Sequence, residues 1–142
     1  MNYEVEILLV EDKMSDAELT IRALKKNHLA NKLIHLNDGQ QALDFIFAQG
    51  NYSHRKVESG PKVILLDLKM PKVNGMDVLK EIKEINPYIE VIIITGYPTN
   101  ESAVESIKIG AFDYICKPFD ICEIESTVSR CLEKQRFSIN HI

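Results

Sequence analysis

The stretch that most constrains this chain is KVILLDLKMPKVNG, residues 62–75. Four apolar residues, Val63 to Leu66, run straight into a carboxylate, Asp67, and then into a turn holding Pro71 and Gly75. A short unbroken apolar run bounded by turn residues reads as a strand covered on both faces, the condition of a parallel sheet. Asp67 therefore stands where a buried strand runs out. In open α/β sheets the chemistry lies outside the carboxyl ends of the strands, and an unpaired charge is costly to bury there.

The same strand-then-helix unit recurs along the chain. Val5–Val10, Lys32–Leu36, Val91–Ile94 and Asp113–Cys116 read as further strands. Between and after them, apolar residues fall at helical spacing: Ala17, Ile21 and Leu24 within Ser15–Asn27, then Leu43, Ile46 and Phe47 after Asp38. Val78, Leu79, Ile82 and Ile85 mark a third helix over Met76–Ile85, and a short fourth runs from Thr99 or Asn100 to Ile109, closed by Gly110. Ile124, Val128 and Leu132 mark the last, from Ile121 to about Gln135. Ser15 and Asp38 suit helix N-caps. Residues 48–61 are polar and aperiodic, a loop long enough to be functional or mobile. Residues 137–142 read as a frayed tail, leaving a core of about 5–135.

Five β–α units imply right-handed crossovers and helices on both faces of one parallel sheet. The first, third and fourth strands are the most apolar and should be central. That is the flavodoxin-like (βα)5 order 2-1-3-4-5, with its switch point between strands 1 and 3.

Composition narrows the setting. A length of 142 residues suits one domain with its own core. A net charge of −4 without a basic run argues against a nucleic-acid face. The N-terminus has no basic leader, and no apolar run approaches the roughly 18 residues of a membrane span. Cys116, Cys122 and Cys131 are odd in number and form no C-x-x-C, as expected of reduced thiols in the cytoplasm. His28, His35, His54 and His141 share no spacing and read as surface residues.

The strand ends carry the chemistry. Glu11-Asp12 follow the first strand, Asp67 ends the third, Thr95 the fourth, and Lys117 follows the fifth. Converging carboxylates raise one another's pKa values unless a cation sits among them. An all-oxygen set without nearby His or Cys suits a hard ion such as Mg²⁺, which pairs with phosphate oxygens. With a lysine and a threonine beside it, such a pocket is suited to receiving a phosphoryl group.

From Ile7 to about Leu132 the chain resembles the response-regulator receiver domains of two-component signalling, and is similar to the chemotaxis response regulator. The resemblance rests on Glu11-Asp12 after ILLV, Asp67 in LLDLKMP with Gly75 eight residues on, Thr95 in IIITG, and Lys117-Pro118 in DYICKPF. It implies that Asp67 is the phosphoacceptor, taking a phosphoryl group from a sensor histidine kinase, a phosphotransfer protein or a small acyl phosphate. It implies Mg²⁺ held by Asp12, Asp67 and the Lys69 backbone carbonyl, with Glu11 acting through water. Lys117 would pair with the phosphoryl group, Thr95 would donate a hydrogen bond to it, and Tyr114 would be the aromatic switch. Lys117-Pro118 would be a cis bond. Such a chain is a phosphoacceptor with self-catalysed transfer rather than an enzyme. Its output would pass to a downstream effector or a homodimer through the 102–116 face, with no direct nucleic-acid or membrane contact.

Two positions depart from small residues: Lys69, two after the acceptor, and Tyr97, two after Thr95. Their bulk could shield an acyl phosphate, which predicts slow autodephosphorylation. The first half is similar to stand-alone regulators of phytochrome-type kinases, the second to receivers of transcriptional activators and sensor kinases. The rival readings are three. An aspartate-nucleophile phosphatase wants a second Asp where Lys69 stands. A phosphorylation-independent pseudo-receiver would typically lack one of the key residues, and none is missing. A nucleotide- or flavin-binding domain would carry a Gly-rich loop after strand 1, which is absent.

Overall fold

The computed structural model describes residues 6–26, 28–29, 32–56, 60–70 and 73–140, with side chains as far as Gln135. Its strands are β1 (Ile7–Val10), β2 (Leu33–Leu36), β3 (Val63–Asp67), β4 (Glu90–Thr95) and β5 (Asp113–Cys116). All pair in parallel, in the order β2-β1-β3-β4-β5. The intervening helices are α1 (Met14–Lys25), α2 (Gly39–Ile46), α3 (Gly75–Ile85), α4 (Asn100–Ile109) and α5 (Ile121–Asn140). This is the flavodoxin-like arrangement expected from the pattern of apolar runs.

The central strands are apolar at every step because both of their faces are covered. Alternate side chains divide between two cores. Leu8, Val10, Ile64, Leu66, Val91 and Ile93 face α2 and α3, meeting Phe45, Val78, Leu79 and Ile82. Ile7, Leu9, Val63, Leu65, Ile92 and Ile94 face α1 and α5, meeting Ala17, Leu24, Ile124 and Val128. Burying one aliphatic side chain stabilises by about 1.5–3 kcal/mol, so a sheet with two covered faces leaves little freedom in how its strand ends align.

Caps fix three of the helix starts. Asp38 accepts from Gln41 N, Asn74 from Met76 N and Thr99 from Ser102 N. Ser15 is not a cap: α1 begins one residue earlier, and its N-cap Lys13 makes no side-chain bond. Ile85 points to solvent at 60 % exposure, because α3 outruns the sheet by its last residue. Residues 137–140, expected to fray, continue α5. Val5, Asn27, Pro71 and His141 lie outside the described residues.

The 48–61 segment is partly anchored. Gly50–Tyr52 forms one 3₁₀ turn, Tyr52 meets Phe45 edge-on, and the Arg55 guanidinium lies 3.5 Å over the Phe45 ring. Gly75 is required by close approach. A β-carbon there would sit 2.6 Å from Leu68 Cα and 2.7 Å from the Asp67 carbonyl oxygen, so only glycine lets α3 start against the end of β3.

Candidate functional site

Register explains why the polar strand ends meet. Val10 lies opposite Leu66, which brings Glu11 level with Asp67. Asp67 lies opposite Ile94, so Thr95 stands one step beyond it. Thr95 in turn lies opposite Cys116, so Lys117 follows at the same edge. Residues up to 106 positions apart in sequence thus reach hydrogen-bond distance.

The carboxylate oxygens of Glu11, Asp12 and Asp67 come within 4.8 Å of one another. Glu11 and Asp67 are buried and Asp12 is exposed. Lys117 Nζ donates to Glu11 Oε1 at 2.6 Å and stands 3.6 Å from Asp67 Oδ2. Burial and the nearby Asp67 push the Glu11 carboxyl up to about 7, against the pull of Lys117. Burial alone would lower the Lys117 ammonium, but hydrogen bonds to Asp16 and Glu11 hold it above its ordinary value. Among the described residues this trio is the one acidic group with metal-ligand spacing. Three hard oxygen donors around excess negative charge fit a divalent cation such as Mg²⁺.

The remaining expected residues fall into place unequally. Lys69 meets Asp67 through its backbone N–H, which donates to Oδ1 at 3.2 Å. Thr95 is buried, and its hydroxyl oxygen accepts from Tyr97 N at 3.1 Å. The Lys117 backbone N–H donates to the Thr95 carbonyl at 2.8 Å, but among the described residues no hydrogen bond joins the Thr95 hydroxyl to Asp67 or Lys117. Tyr114 is half-buried, with its hydroxyl 2.6 Å from Ser102 Oγ, at the first turn of α4. Lys117-Pro118 is cis. Lys69 Nζ lies 3.9 Å over the Tyr97 ring, joining the two bulky departures at the rim. They border a cavity of about 1000 Å³ that Asp12, Asp16, Asp67 and Lys117 also line.

Two residues were not legible as part of this group. Asp16 Oδ2 accepts from Lys117 Nζ at 2.8 Å. An acid in a first helical turn is ordinarily explained by the helix dipole, so its spacing from Asp12 gave no separate signal. His35 is half-buried rather than a surface residue, and its Nε2 lies 2.7 Å from the Glu11 carbonyl oxygen. It fastens the end of β2 to the residue that begins the site. Nothing in sequence spacing pairs it with Glu11, because the contact arises from the β1–β2 register.

Residues 7–129 match the model of the response regulator receiver domain family. The chain is 35% identical over 135 residues to the transcriptional regulatory protein ZraR of Klebsiella oxytoca, an alignment that covers 95% of this chain and 28% of that protein. It thus spans about a quarter of the length of that relative. Among solved structures, the bacteriophytochrome response regulator RtBRR superposes with a TM-score of 0.78 at 38% identity, covering 89% of this chain and 76% of that one. The Mn(2+)-bound form of response regulator Rcp1 superposes with a TM-score of 0.76 at 32% identity, covering 87% of this chain and 91% of that one.

Proposed function

Since the chain belongs to the response regulator receiver domain family, we propose that it accepts a phosphoryl group on Asp67 in a Mg²⁺-dependent step and relays that charge as a change of surface. The observation that carries this reading is the meeting of Glu11, Asp12 and Asp67 with Lys117 at the carboxyl end of one parallel sheet. An Asp67 carboxylate oxygen attacks phosphorus. The new O–P bond forms as the donor's N–P or acyl O–P bond breaks, and the leaving imidazole or carboxylate keeps the electron pair. When bound, Mg²⁺ would neutralise charge on the phosphoryl oxygens, held by Asp12, Asp67 and the Lys69 carbonyl with Glu11 behind them.

This chain's own residues do the rest. Lys117 pairs with the phosphoryl group. Thr95 keeps its hydroxyl proton free for the same oxygen set, because its present bond uses only a lone pair. Each hydrogen bond to a charged group is worth roughly 1.5–3 kcal/mol. Two of them approach the roughly 5.5 kcal/mol that turns a 1:99 equilibrium into 99:1. Tyr114 reports the change, since releasing its hydroxyl from Ser102 would alter the 102–116 face presented to an effector or a second copy. The phosphodonor is a sensor histidine kinase or phosphotransfer protein in the cytoplasm, where the thiols stay reduced. Tyr97 and Lys69 cover the acyl phosphate and slow its loss to minutes or longer.

The test is intact mass after incubation with Mg²⁺ and acetyl phosphate. A single phosphoryl adduct on wild type and none on Asp67→Asn is the expected outcome. No adduct with Mg²⁺ binding intact would instead make the chain a docking module that works without phosphorylation. Steady release of free phosphate would make it a phosphatase.

A further inference from the structure

The first turn of α1 holds a charged side chain for which the reading above has no role. Asp16 Oδ2 accepts from Lys117 Nζ at 2.8 Å and Glu11 Oε1 does so at 2.6 Å, while Asp67 Oδ2 stands off at 3.6 Å. The lysine is therefore held by two carboxylates that would not receive the phosphoryl group and is kept short of the one that would.

The helix forgoes local stabilisation for this contact. α2, α3 and α4 each begin with a side-chain cap, and α1 does not. Asp16 is the third residue of α1, the position from which an acid ordinarily turns back to the N-cap N–H. Here that N–H, of Lys13, goes to Glu11 Oε2 at 3.3 Å. Asp16 points instead across the cavity it lines together with Lys117 and Asp67. A broken local rule of this kind marks a side chain held for another purpose.

We propose that Asp16 is a positioning residue, a resting-state latch that competes with the phosphoryl group for the Lys117 ammonium. The proposal rests on the receiver reading and adds a residue to it. The three protons of the ammonium are shared among carboxylates at rest. Phosphoryl oxygens on Asp67 gain Lys117 only as Asp16 gives it up. The sign follows: neutralising Asp16 must strengthen binding of a phosphoryl mimic, the reverse of what removing a supporting residue would do.

The experiment is calorimetric titration of the full chain with beryllofluoride at saturating Mg²⁺, for wild type, Asp16→Asn, Asp16→Ala and Asp16→Glu. Asp16→Asn should bind roughly fivefold tighter, the upper range for a surface ion pair, because both side chains are largely shielded from water. Asp16→Ala, which removes the acceptor altogether and suits a helix, should gain at least as much and carries the test if the asparagine variant does not fold. Asp16→Glu should return to wild type. In about 1 M salt, where the screening length falls to about 3 Å, the gain should persist. Labelling of Lys117 by an amine reagent, followed by peptide mass, should quicken in the neutral variants. Equal or weaker binding by those variants overturns the latch, as does a gain that vanishes in high salt, which would reveal only a general charge effect. Failure of wild type to bind beryllofluoride overturns the receiver reading itself, and the latch with it.

Discussion

The two ends of the sheet handle charge in opposite ways. At the amino end, ions are matched: Lys62 with Glu6 at 3.6 Å, and Lys134 with the buried Glu90 at 3.1 Å. Lys83 Nζ donates to the Pro87 and Ile89 carbonyls, and Gln135 Nε2 donates to those of Lys62 and Tyr88. At the carboxyl end, Glu11, Asp16 and Asp67 crowd around the ammonium of Lys117, with Asp12 beside Glu11 and Asp67. One end is arranged to stay folded. The other gathers carboxylates closely enough to fit a cation, the arrangement on which the proposed phosphoryl transfer depends.

The sharpest way to separate the ends is Asp67→Asn. Adduct formation should be lost completely while thermal unfolding stays at or above wild type, because one repelling charge has gone. A variant that unfolds easily would mean the crowded end also holds the fold together.

Next in size is the effect of pH. The folded Glu11 carboxyl titrates at about 7 against an ordinary 4.5. Between those values the folded chain keeps a proton that the unfolded chain has released. Stability therefore falls as pH rises through that window, by on the order of 3 kcal/mol, and levels off above it. Chemical unfolding at stepped pH without metal should show this slope. Glu11→Gln should abolish it, and added Mg²⁺ should flatten it. A flat wild-type profile would refute the crowding.

At the matched end, Gln135→Leu removes the donor to two carbonyls and should cost about 1–3 kcal/mol. Urea titration would measure that loss, and adduct formation should be unchanged. A simultaneous loss of phosphorylation would mean that the two ends of the sheet are coupled. The smallest effect belongs to the rim: Tyr97→Ala should shorten the life of the adduct by roughly threefold, about the worth of one exposed cation–π contact. A wild-type half-life of a few seconds would remove the premise.

The sheet order and the meeting of Glu11, Asp12, Asp67 and Lys117 were legible because buried parallel strands are continuously apolar and end abruptly. A polar residue just past such a run has only one place to go. Asp16 was hidden because its role depends on how α1 is rotated against the sheet, which the pattern Ala17, Ile21, Leu24 leaves loose by part of a turn. His35 was hidden because the β1–β2 register sets it opposite Leu9, from where its ring reaches the Glu11 carbonyl two residues on. Ile85 was misread because spacing cannot tell where a helix passes the edge of its sheet, and Ser15 because several residues near a helix start can cap. The continuation of α5 past Gln135 was missed for a related reason: residues 137–140 show no apolar stripe.

Gln135 has a mechanical consequence. α5 starts beside the Lys117-Pro118 corner and runs the height of the sheet to the base, where Gln135 pins it to the segments entering β3 and β4. With Ile124, Val128 and Cys131 buried between those two ends, α5 is a splint that spans both poles of the sheet and ties the base of β3 and β4 to the corner where Lys117 stands.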